Sequence, residues 1–443
     1  MLKSSIIPKD MTNIIVSALL LAVIFGKSMV LPGASIGDII FILVSIIAAT
    51  ILALTPSTLT VPKYSLFILP IVLWSLLDFL IAYMIGIVDV TNHFWGSFTK
   101  LSVYAIGSIV ILIFLSRTPM QSLLKPAKTM LMFSTWISLL ILSLQYFNDF
   151  VLELPVWIFW FGQGGVAEFG EVVGVLETSS FKVYKLRGIF MEPSLYGIYT
   201  VLILAVFHKY GIEKSLANRQ RWAVYASLLL TFSLTSYFLI AMYYFFLVGA
   251  RFNFGWISFF KMMPYVLIIL IFFPVINEFV IERTLGVFAG DDRSASLRFL
   301  ASFDTMLAAI KNSLFIGSSL GYLEYLPSSL NLSFDYQTDV NEFVISEGNN
   351  QIILFYYFGS LGIIGLSLFV IMLYPIFKNC FQYFLVLFGS TFAHGGAFES
   401  IFWVFYLFGI LMAREVYFNS VLMKSNSASA FRLRSSNSYS GLK

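Results

Sequence analysis

The sequence is poor in cysteine, histidine and charge. Its 443 residues include one cysteine and three histidines, and only 11% of them are charged. The single Cys380 excludes an intramolecular disulfide and a cysteine-based metal site, and the wide separation of His93, His208 and His394 argues against a histidine-rich metal centre. A soluble domain carries about 25% charged residues. This scarcity excludes a soluble enzyme, a disordered chain and a nucleic-acid-binding module.

What the chain has instead is apolar sequence in long runs. Hydrophobic residues make up 59% of it, with 47 Phe and 23 Tyr, and the mean hydropathy is +0.88. A helix needs about 20 apolar residues to cross the hydrocarbon core of a bilayer. The composition therefore predicts an all-α integral membrane protein. Candidate spans lie at 11–30, 36–54, 64–88, 98–116, 129–147, 194–208, 222–249, 256–276, 349–375, 380–398 and 400–413.

The number of crossings depends on segment 222–249, which is long enough for one tilted helix or two short ones. Basic residues precede it, and Arg251 follows it. If both flanks are cytoplasmic, the segment is a hairpin that bends near Ser233–Ser236, and about twelve crossings leave both termini inside. Cytoplasmic loops then hold 17 of the 27 basic residues, the bias expected of an inner-membrane protein. A single crossing would place the termini on opposite sides, and we prefer twelve. The 17 are Lys3, Lys9, Lys63, Arg117, Lys125, Lys128, Lys209, Lys214, Arg219, Arg221, Arg251, Lys378, Arg414, Lys424, Arg432, Arg434 and Lys443.

Two large external loops follow from this topology, at 148–193 and 277–348. Loops of this length in a compact protein are usually functional. We expect short helices within them, including an amphipathic helix near 298–310. The chain thus divides into a polytopic transmembrane domain, 1–423, and a Ser/Asn-rich basic cytoplasmic tail, 424–443, which we expect to be disordered.

The sequence contains no Walker loop, HExxH motif or nucleophile elbow, so arginines and carboxylates of the external loops are the candidates for chemistry. Arg187 and Glu192 precede Pro193, which favours the first turn of a helix. A cation beside a helix N-terminus suits a phosphate or pyrophosphate. The alternative is a helix cap with a local ion pair.

Two further polar stretches follow in the second loop. Arg293 and Arg298 are two of its few basic residues, and a Gly-containing turn follows at Gly317. Fixed guanidinium groups bind anions, but the same arginines can simply balance neighbouring aspartates. The other stretch, 346–365, runs from the end of this loop into the span at 349–375. At the outer end of that span Asn350 can hydrogen-bond sugar hydroxyls and Glu347 can accept a proton, or both can act only as a helix cap.

Two isolated ionisable residues complete the candidates. Asp78 lies inside the third span, where a charge is by default a functional-site hypothesis, although a carboxyl hydrogen-bonded within the bundle is an equal alternative. His394, near the end of the span at 380–398, fits best as a packed polar residue.

In this order, the three stretches resemble bacterial O-antigen polymerases of the Wzy type and, more distantly, O-antigen ligases. The Arg-Gly-x-x-x-Glu-Pro-Ser pattern of the family is met from Arg187 to Ser194. Its Ser/Thr-rich break is met by Ser233–Ser236, and its arginine, helix and glycine turn by Arg298 and the run from Ser313 to Gly317.

The chain also departs from the family pattern. Ser313 replaces the usual proline, and Gly321 falls late. The His-Asn pair that ligases carry before a late span is missing, because Asn349 and Asn350 stand there, preceded by Glu347. The resemblance covers roughly residues 180–375.

The resemblance implies an inner-membrane glycosyltransferase that polymerises undecaprenyl-pyrophosphate-linked repeat units at the periplasmic face. Arg187, Arg293 and Arg298 would bind pyrophosphate, with Asn350 as a sugar contact, and Glu192 or Glu347 would be the base. Metal and cofactor are not needed, because the lipid pyrophosphate is already an activated leaving group. Implied partners are the lipid-linked oligosaccharide, membrane lipid, a chain-length regulator and a flippase, with no nucleic acid.

Three alternatives remain open. A ligase would transfer finished chains to lipid A core, a flippase would move lipid-linked sugars, and an ion-coupled transporter would need paired charges within its spans. The missing histidine argues against a ligase, and the absence of repeat symmetry in the sequence argues against a flippase. Asp78 is the only clear charge within a span, which argues against the third.

Overall fold

The protein is an α-helical membrane protein with two short antiparallel ribbons. The computed structural model describes residues 9–26, 29–31, 34–55, 62–86, 92–147, 175–177, 182–184, 186, 189–190, 193–244, 301–323, 352–393 and 399–417. Its helices are α1 (Lys9–Ile24), α2 (Ile36–Leu54), α3 (Leu69–Met84), α4 (Asn92–Leu115), α5 (Met120–Phe147), α6 (Pro193–Tyr210), α7 (Asn218–Leu229), α8 (Leu234–Tyr243), α9 (Ala301–Asn312), α10 (Ile353–Asn379), α11 (Phe381–Ala393) and α12 (Ser400–Tyr417). The ribbons pair β1 (Met29–Leu31) with β2 (Ala34–Ser35) and β3 (Val175–Glu177) with β4 (Lys182–Tyr184).

Several helix starts follow directly from the sequence. Ser35 caps α2, because its hydroxyl accepts from the Asp38 amide while the Asp38 carboxylate accepts from the Ser35 amide. Pro193 is the first residue of α6, as the sequence predicts, since proline has no amide to leave unpaired there. A 3₁₀ turn, Lys63–Ile68, leads into α3, and Pro70 stands in the first turn of that helix.

Six helical segments within the described residues are long and apolar enough to cross a bilayer. They are Ile36–Leu54, Lys63–Met84, Phe94–Leu115, Met120–Phe147, Ile353–Asn379 and Ser400–Tyr417. Large apolar side chains on their outer faces are exposed, including Leu43, Leu73 and Leu140 at 53–63%. Such surface is stable against lipid and not against water.

Helix α12 forms the centre of the bundle. Its segment is 78% buried, the largest share among these spans. Ser400 donates to the carbonyl of Ala22 in α1 at 2.7 Å, and the Trp403 ring stacks on Tyr104 of α4. Tyr383 of α11 donates to the carbonyl of Phe405. Helix α12 therefore contacts helices from early, middle and late parts of the chain, namely α1, α4 and α11.

The bundle has two distinguishable faces. At the upper face α1 ends and α2 and α12 begin, and here Gly26 and Gly37 approach the Ser400 hydroxyl closely. At the lower face α1 begins and α12 ends. There Thr12 contacts Thr118, and Thr118 and Arg414 line one small cavity. The start of α1 and the end of α12, the first and last described helices, thus lie on the same face.

Segment 222–249 does not form one long helix. Helix α7 ends at Leu229, the backbone turns at residues 230–233 with Phe232 at φ 44°, and α8 begins at Leu234. Ser236, at the start of α8, lies against Gly197 near the start of α6, and Tyr243, at the other end of α8, donates to Glu213 below α6. Helices α7 and α8 therefore run in opposite directions, with the bend close to the predicted Ser233–Ser236.

Candidate functional site

Apart from Asp78, the candidate residues from the sequence flank described helices but lie outside the described residues themselves. Pro193 and Ile353 are the first residues of α6 and α10, and Ala301 is the first described residue of α9, so the candidate arginines, glutamates and Asn350 precede these three residues by one to eight positions, whereas His394 follows the end of α11. The expected tail 424–443 also lies outside the described residues. The candidates outside them are Arg187, Glu192, Arg293, Arg298, Glu347, Asn350 and His394.

The residues on either side of Arg187 are anchored to the bundle. Leu186 is fully buried, and its amide donates to the carbonyl of Leu230 at 2.7 Å. Phe190 is 2% exposed and packs against the rings of Tyr196 and Tyr199 in α6. The two anchors fix the position of the backbone on both sides of the candidate arginine.

Below the start of α6 lies a buried group of hydroxyls. The Tyr196 hydroxyl lies 2.6 Å from the Ser227 hydroxyl of α7 and 3.3 Å from that of Thr135 in α5. Tyr199 and Thr200 carry buried hydroxyls that have no partner among the described residues. The interior beneath the Arg187–Ser194 motif is therefore polar but uncharged.

Helix α10 is interrupted inside its apolar run. Gly362 has φ 64° and ψ −164°, a conformation open essentially to glycine alone. The rings of Tyr357 and Phe369 stack at 4.8 Å, although 12 residues of straight helix would separate them by about 18 Å. The chain therefore bends sharply here. We call the segment before the bend α10a (353–361) and the segment after it α10b (363–379).

A turn that follows α9, residues 313–323, fits into this bend, and we call it the Ser-Gly turn. The Ser318 amide donates to the carbonyl of Gly359 at 2.9 Å, and the Ile363 amide donates to that of Leu314 at 2.9 Å. A Cβ on Gly317 would collide with the backbone of residues 359–362. The turn thus pairs backbone groups that the bend leaves free, as buried backbone requires.

Helices α9 and α10a run side by side in the same direction. Phe303 packs on Phe355 at 5.5 Å, and further along Met306 lies against Gly359. Met306, Ile352 and Phe355 form a small buried cluster between the two helices. Since the contacts advance together along both helices, the first described turn of α9 lies next to the first turn of α10a.

Two other segments meet this assembly. Phe392, near the end of α11, packs on Phe355, which places His394 two residues beyond the assembly in sequence. The indole nitrogen of Trp74 in α3 donates to the carbonyl of Leu361 at 3.1 Å, at the end of α10a. The described helices nearest in sequence to Arg298, Glu347, Asn350 and His394 are α9, α10a and α11, and these three helices are neighbours in space.

Asp78 lies one helical turn after Trp74, beneath the Ser-Gly turn. It is fully buried, and its carboxyl faces the hydroxyl of Ser319. The two groups do not reach hydrogen-bond geometry, and neither has another partner among the described residues. The hydrogen-bonded carboxyl that was one of the two expectations is thus not found in the part of the chain that the structure describes.

A second polar cluster lies at the lower face. Glu213, between α6 and α7, accepts from Tyr225, from Tyr243 at 3.0 Å and from His208 at 3.2 Å. Burial raises the pKa of this carboxyl, but the hydrogen bonds from Tyr225, His208 and Tyr243 outweigh burial, so the pKa lies below its usual value. The cluster connects three elements through one carboxylate, which is a structural role.

Sequence reasoning found these parts separately but not their association. The glycine turn, the span at 349–375 and Asp78 were each identified, yet Gly317 is about 40 residues from Gly362 of α10 and about 240 residues from Asp78. The sequence signal for the turn and the bend is glycine at 317, 321 and 362. Glycine readily adopts positive φ, and all three have positive φ in the structure.

Comparison of the chain with family models, with curated proteins and with solved structures gives no match. Within the described residues, no group of three or more His, Cys, Asp or Glu side chains is arranged to hold a metal ion. The function must therefore be argued from the residues and their arrangement.

Proposed function

We propose that this protein is a glycosyltransferase that polymerises undecaprenyl-pyrophosphate-linked O-antigen repeat units at the periplasmic face of the bacterial inner membrane. The growing chain is transferred as a block onto a new lipid-linked unit, with inversion at the anomeric carbon. The proposal begins from the resemblance of residues 180–375 to O-antigen polymerases.

The observation that carries the proposal is the parallel packing of α9 and α10a. Arg298 precedes the first described residue of α9 by three positions, and Asn350 precedes the first residue of α10 by three positions. The first described turns of both helices are neighbours. The proposal therefore brings together at one place two stretches of the resemblance that are about 50 residues apart in sequence.

Such a place suits a pyrophosphate. Each helix N-terminus carries roughly half a positive charge, and two aligned N-termini add their fields. Arg298 and Arg293 would add guanidinium groups that bind phosphate oxygens in pairs, and Arg187 would do the same from the start of α6. These groups stabilise the negative charge that develops on the departing lipid pyrophosphate.

The acceptor sugar must lose a proton from the attacking hydroxyl. Glu347, six positions before α10, and Glu192, immediately before α6, are the carboxylates placed to accept it. Asn350 would hydrogen-bond a sugar hydroxyl. No nucleotide, metal or other cofactor enters this scheme, because the bond to pyrophosphate already supplies the free energy.

Sidedness is argued from charge. Described basic residues of the lower face lie at or near helix ends: Lys125 and Lys128 in the first part of α5, Lys209 in the last turn of α6, Lys214 in the 3₁₀ turn after it, and Arg219 in the first turn of α7. The excess of basic residues in cytoplasmic loops makes this face cytoplasmic, so the segments that lead into α6 and α9 face the periplasm. With twelve crossings, the expected tail 424–443 would also lie in the cytoplasm.

A second function remains in consideration, because interrupted helices and buried carboxylates are features of membrane transporters. Gly362 interrupts α10, and Asp78 lies beside the interruption. A flippase for lipid-linked sugars would use the same elements to move its substrate without forming a glycosidic bond. A ligase would form the bond, but onto lipid A core.

The variant Arg187→Ala tests the proposal in cells. We expect it to abolish long polymer on gels while the protein is still inserted, and single repeat units on lipid A core should remain because ligation and flipping continue. The matched control is Arg219→Ala, an exposed arginine of the lower face, which should leave the ladder unchanged. Normal chain lengths in Arg187→Ala would remove Arg187 from the site, and loss of single units as well would favour the flippase or the ligase.

A second variant separates the two candidate bases. Glu347→Gln retains shape and hydrogen bonding but cannot accept a proton. We expect loss of polymer if Glu347 is the base, and full activity would leave Glu192 as the remaining candidate.

A further inference from the structure

The position of Asp78 requires an explanation that the proposed glycosyl transfer does not supply. The carboxyl is fully buried, and both of its oxygens lack a partner among the described residues. A buried ionised carboxylate without a partner costs several kcal/mol. The charge must therefore be neutralised in this conformation.

The helix ends around Asp78 disfavour the ionised form further. The Ser-Gly turn follows the C-terminus of α9, and Trp74, one turn before Asp78, bonds a carbonyl at the C-terminus of α10a. Helix C-termini carry partial negative charge and favour cations. The amide of Ile363, which opens α10b, is already paired with Leu314 and cannot serve the carboxylate.

No described cation stabilises the ionised form of Asp78. The described elements that pack most extensively on α3 are its own 3₁₀ turn, α4 and α10, and the Ser-Gly turn faces Asp78 at Ser319. None of the described side chains on these elements forms a hydrogen bond with the carboxyl. A metal ion needs several oxygen ligands, whereas the described residues present one carboxyl and one hydroxyl. A proton needs no cavity and only one acceptor. The ionisable described side chains on these elements are Lys63, Tyr64, Lys100, Tyr104, Tyr322, Tyr356, Tyr357, Tyr374 and Lys378.

We propose that Asp78 is a proton-binding site and that its proton holds the Ser-Gly turn docked against the bend of α10. The protonated carboxyl is neutral and has an O–H directed at the Ser319 hydroxyl, which it faces. The hydroxyl itself lacks another partner among the described residues. Loss of the proton leaves a carboxylate that only water can stabilise, and water reaches it when the turn moves away.

The turn is built to have two discrete positions. Ser319 has φ 70°, a strained value for a residue with a side chain, and Gly317 and Gly321 have φ 64° and 84°. Docking rests on two backbone hydrogen bonds to α10, on one from the Ser318 hydroxyl to the carbonyl of Gly359 at 3.3 Å, and on one from the Gly321 amide to the Tyr356 hydroxyl at 3.2 Å. A few such contacts can be broken together without unfolding the bundle.

The sign of the pH effect follows from linkage. The docked turn binds one proton more than the undocked turn at neutral pH, because an exposed aspartate ionises above about pH 4. Docking is therefore favoured as pH falls and lost as pH rises. The ratio of undocked to docked molecules changes by at most about tenfold per pH unit for one linked proton.

A thiol placed in the turn measures docking. Cys380 is the only cysteine, so Ser318→Cys in a Cys380→Ala background gives one reactive site at a buried position. The rate of labelling by a membrane-permeant maleimide is measured from pH 5 to 8 in this chain and in the same chain with Asp78→Asn. At each pH the labelling rate of the chain with Asp78 is divided by the labelling rate of the chain with Asp78→Asn. This ratio cancels the effect of pH on the thiol itself.

We expect this ratio to rise with pH by up to about tenfold per unit, because asparagine stays neutral and keeps the turn docked. A ratio that is constant from pH 5 to 8 would overturn the proposal. So would a ratio that follows Na⁺ concentration at fixed pH, since the site would then bind a metal ion.

Cys380 in the otherwise unchanged chain is the matched control, because it is buried at the far end of α10. Its labelling should not differ between Asp78 and Asp78→Asn, and a difference equal to that at position 318 would mean global opening and refute the proposal. If Asp78→Asn does not accumulate, the rate at Ser318→Cys relative to that at Cys380 serves instead, with the same expected rise. None of these results depends on glycosyl transfer.

Discussion

Replacing Gly362 by alanine should disrupt the bend of α10 and release the Ser-Gly turn. Alanine at φ 64° and ψ −164° is strained by about 1–3 kcal/mol. Its Cβ would collide with the carbonyl of Phe315 and would lie 2.6 Å from the amide nitrogen of Ile316. Both are backbone groups, so the turn itself must move.

That movement breaks the hydrogen bonds from Ser318 to Gly359 and from Ile363 to Leu314. Each is worth about 1 kcal/mol net, so the whole effect of Gly362→Ala should be about 3–5 kcal/mol of the free energy of unfolding. The measurement is a titration with sodium dodecyl sulfate in mixed micelles, followed by tryptophan fluorescence.

Two other glycine-to-alanine variants of the same chain are controls that separate the cost of backbone strain from the cost of collision between atoms. Gly86 has φ 75° but open space around its Cα, so Gly86→Ala should cost only about 1 kcal/mol. Gly96 lies in α4 with open space, and Gly96→Ala should be neutral or stabilising by about 0.5–1 kcal/mol. If Gly362→Ala behaved like Gly96→Ala, the bend and its docked turn would be wrong.

Two further predictions use the same titration. Trp74→Phe removes the indole donor from the carbonyl of Leu361 and leaves that buried acceptor unpaired, so a loss of about 1–3 kcal/mol is expected, and no loss would mean that the bond does not hold α3 to α10a. Glu213 has a lowered pKa in the folded protein, so its stabilising contribution is complete above about pH 4.3 and is lost as pH falls below that value. Glu213→Gln should remove this part of the pH dependence, and an unchanged pH profile would contradict the assignment.

The parts of the fold that local chemistry determines could be predicted from the sequence. Pro193 predicts the start of α6, and the preferred interpretation of segment 222–249 is a hairpin that bends near Ser233–Ser236. The structure turns the backbone at 230–233. The apolar spacing near 298–310 predicted the helix that the structure describes as α9. Each of these depends on residues close to one another along the chain.

The bend of α10 could not be predicted in this way. Hydropathy counts 353–379 as one span, because apolar character does not depend on backbone conformation. Glycine at position 362 permits the mirror-image conformation but does not require it. The bend exists because the Ser-Gly turn, about 40 residues earlier, pairs the exposed backbone groups.

The candidate site shows the same division. Arginines, carboxylates and glycines could be selected from the sequence, since few residue types bind pyrophosphate or accept a proton. The packing of the neighbouring helices α9 and α10a could not be predicted, because it rests on Phe303, Met306 and Phe355, whose apolar side chains look like those of any membrane helix. Asp78 was noticed as a charge in a span, but its place beneath Ser319 needed the structure.

The most direct test of the account is reconstitution of the purified protein in lipid vesicles with undecaprenyl-pyrophosphate-linked repeat units and no nucleotide or metal. The account predicts that the units are joined into a ladder of lipid-linked chains, with release of undecaprenyl pyrophosphate, and that Arg298→Ala and Arg187→Ala each abolish the ladder. Transport of the units across the bilayer without any lengthening, or lengthening only when a sugar nucleotide is added, would contradict it.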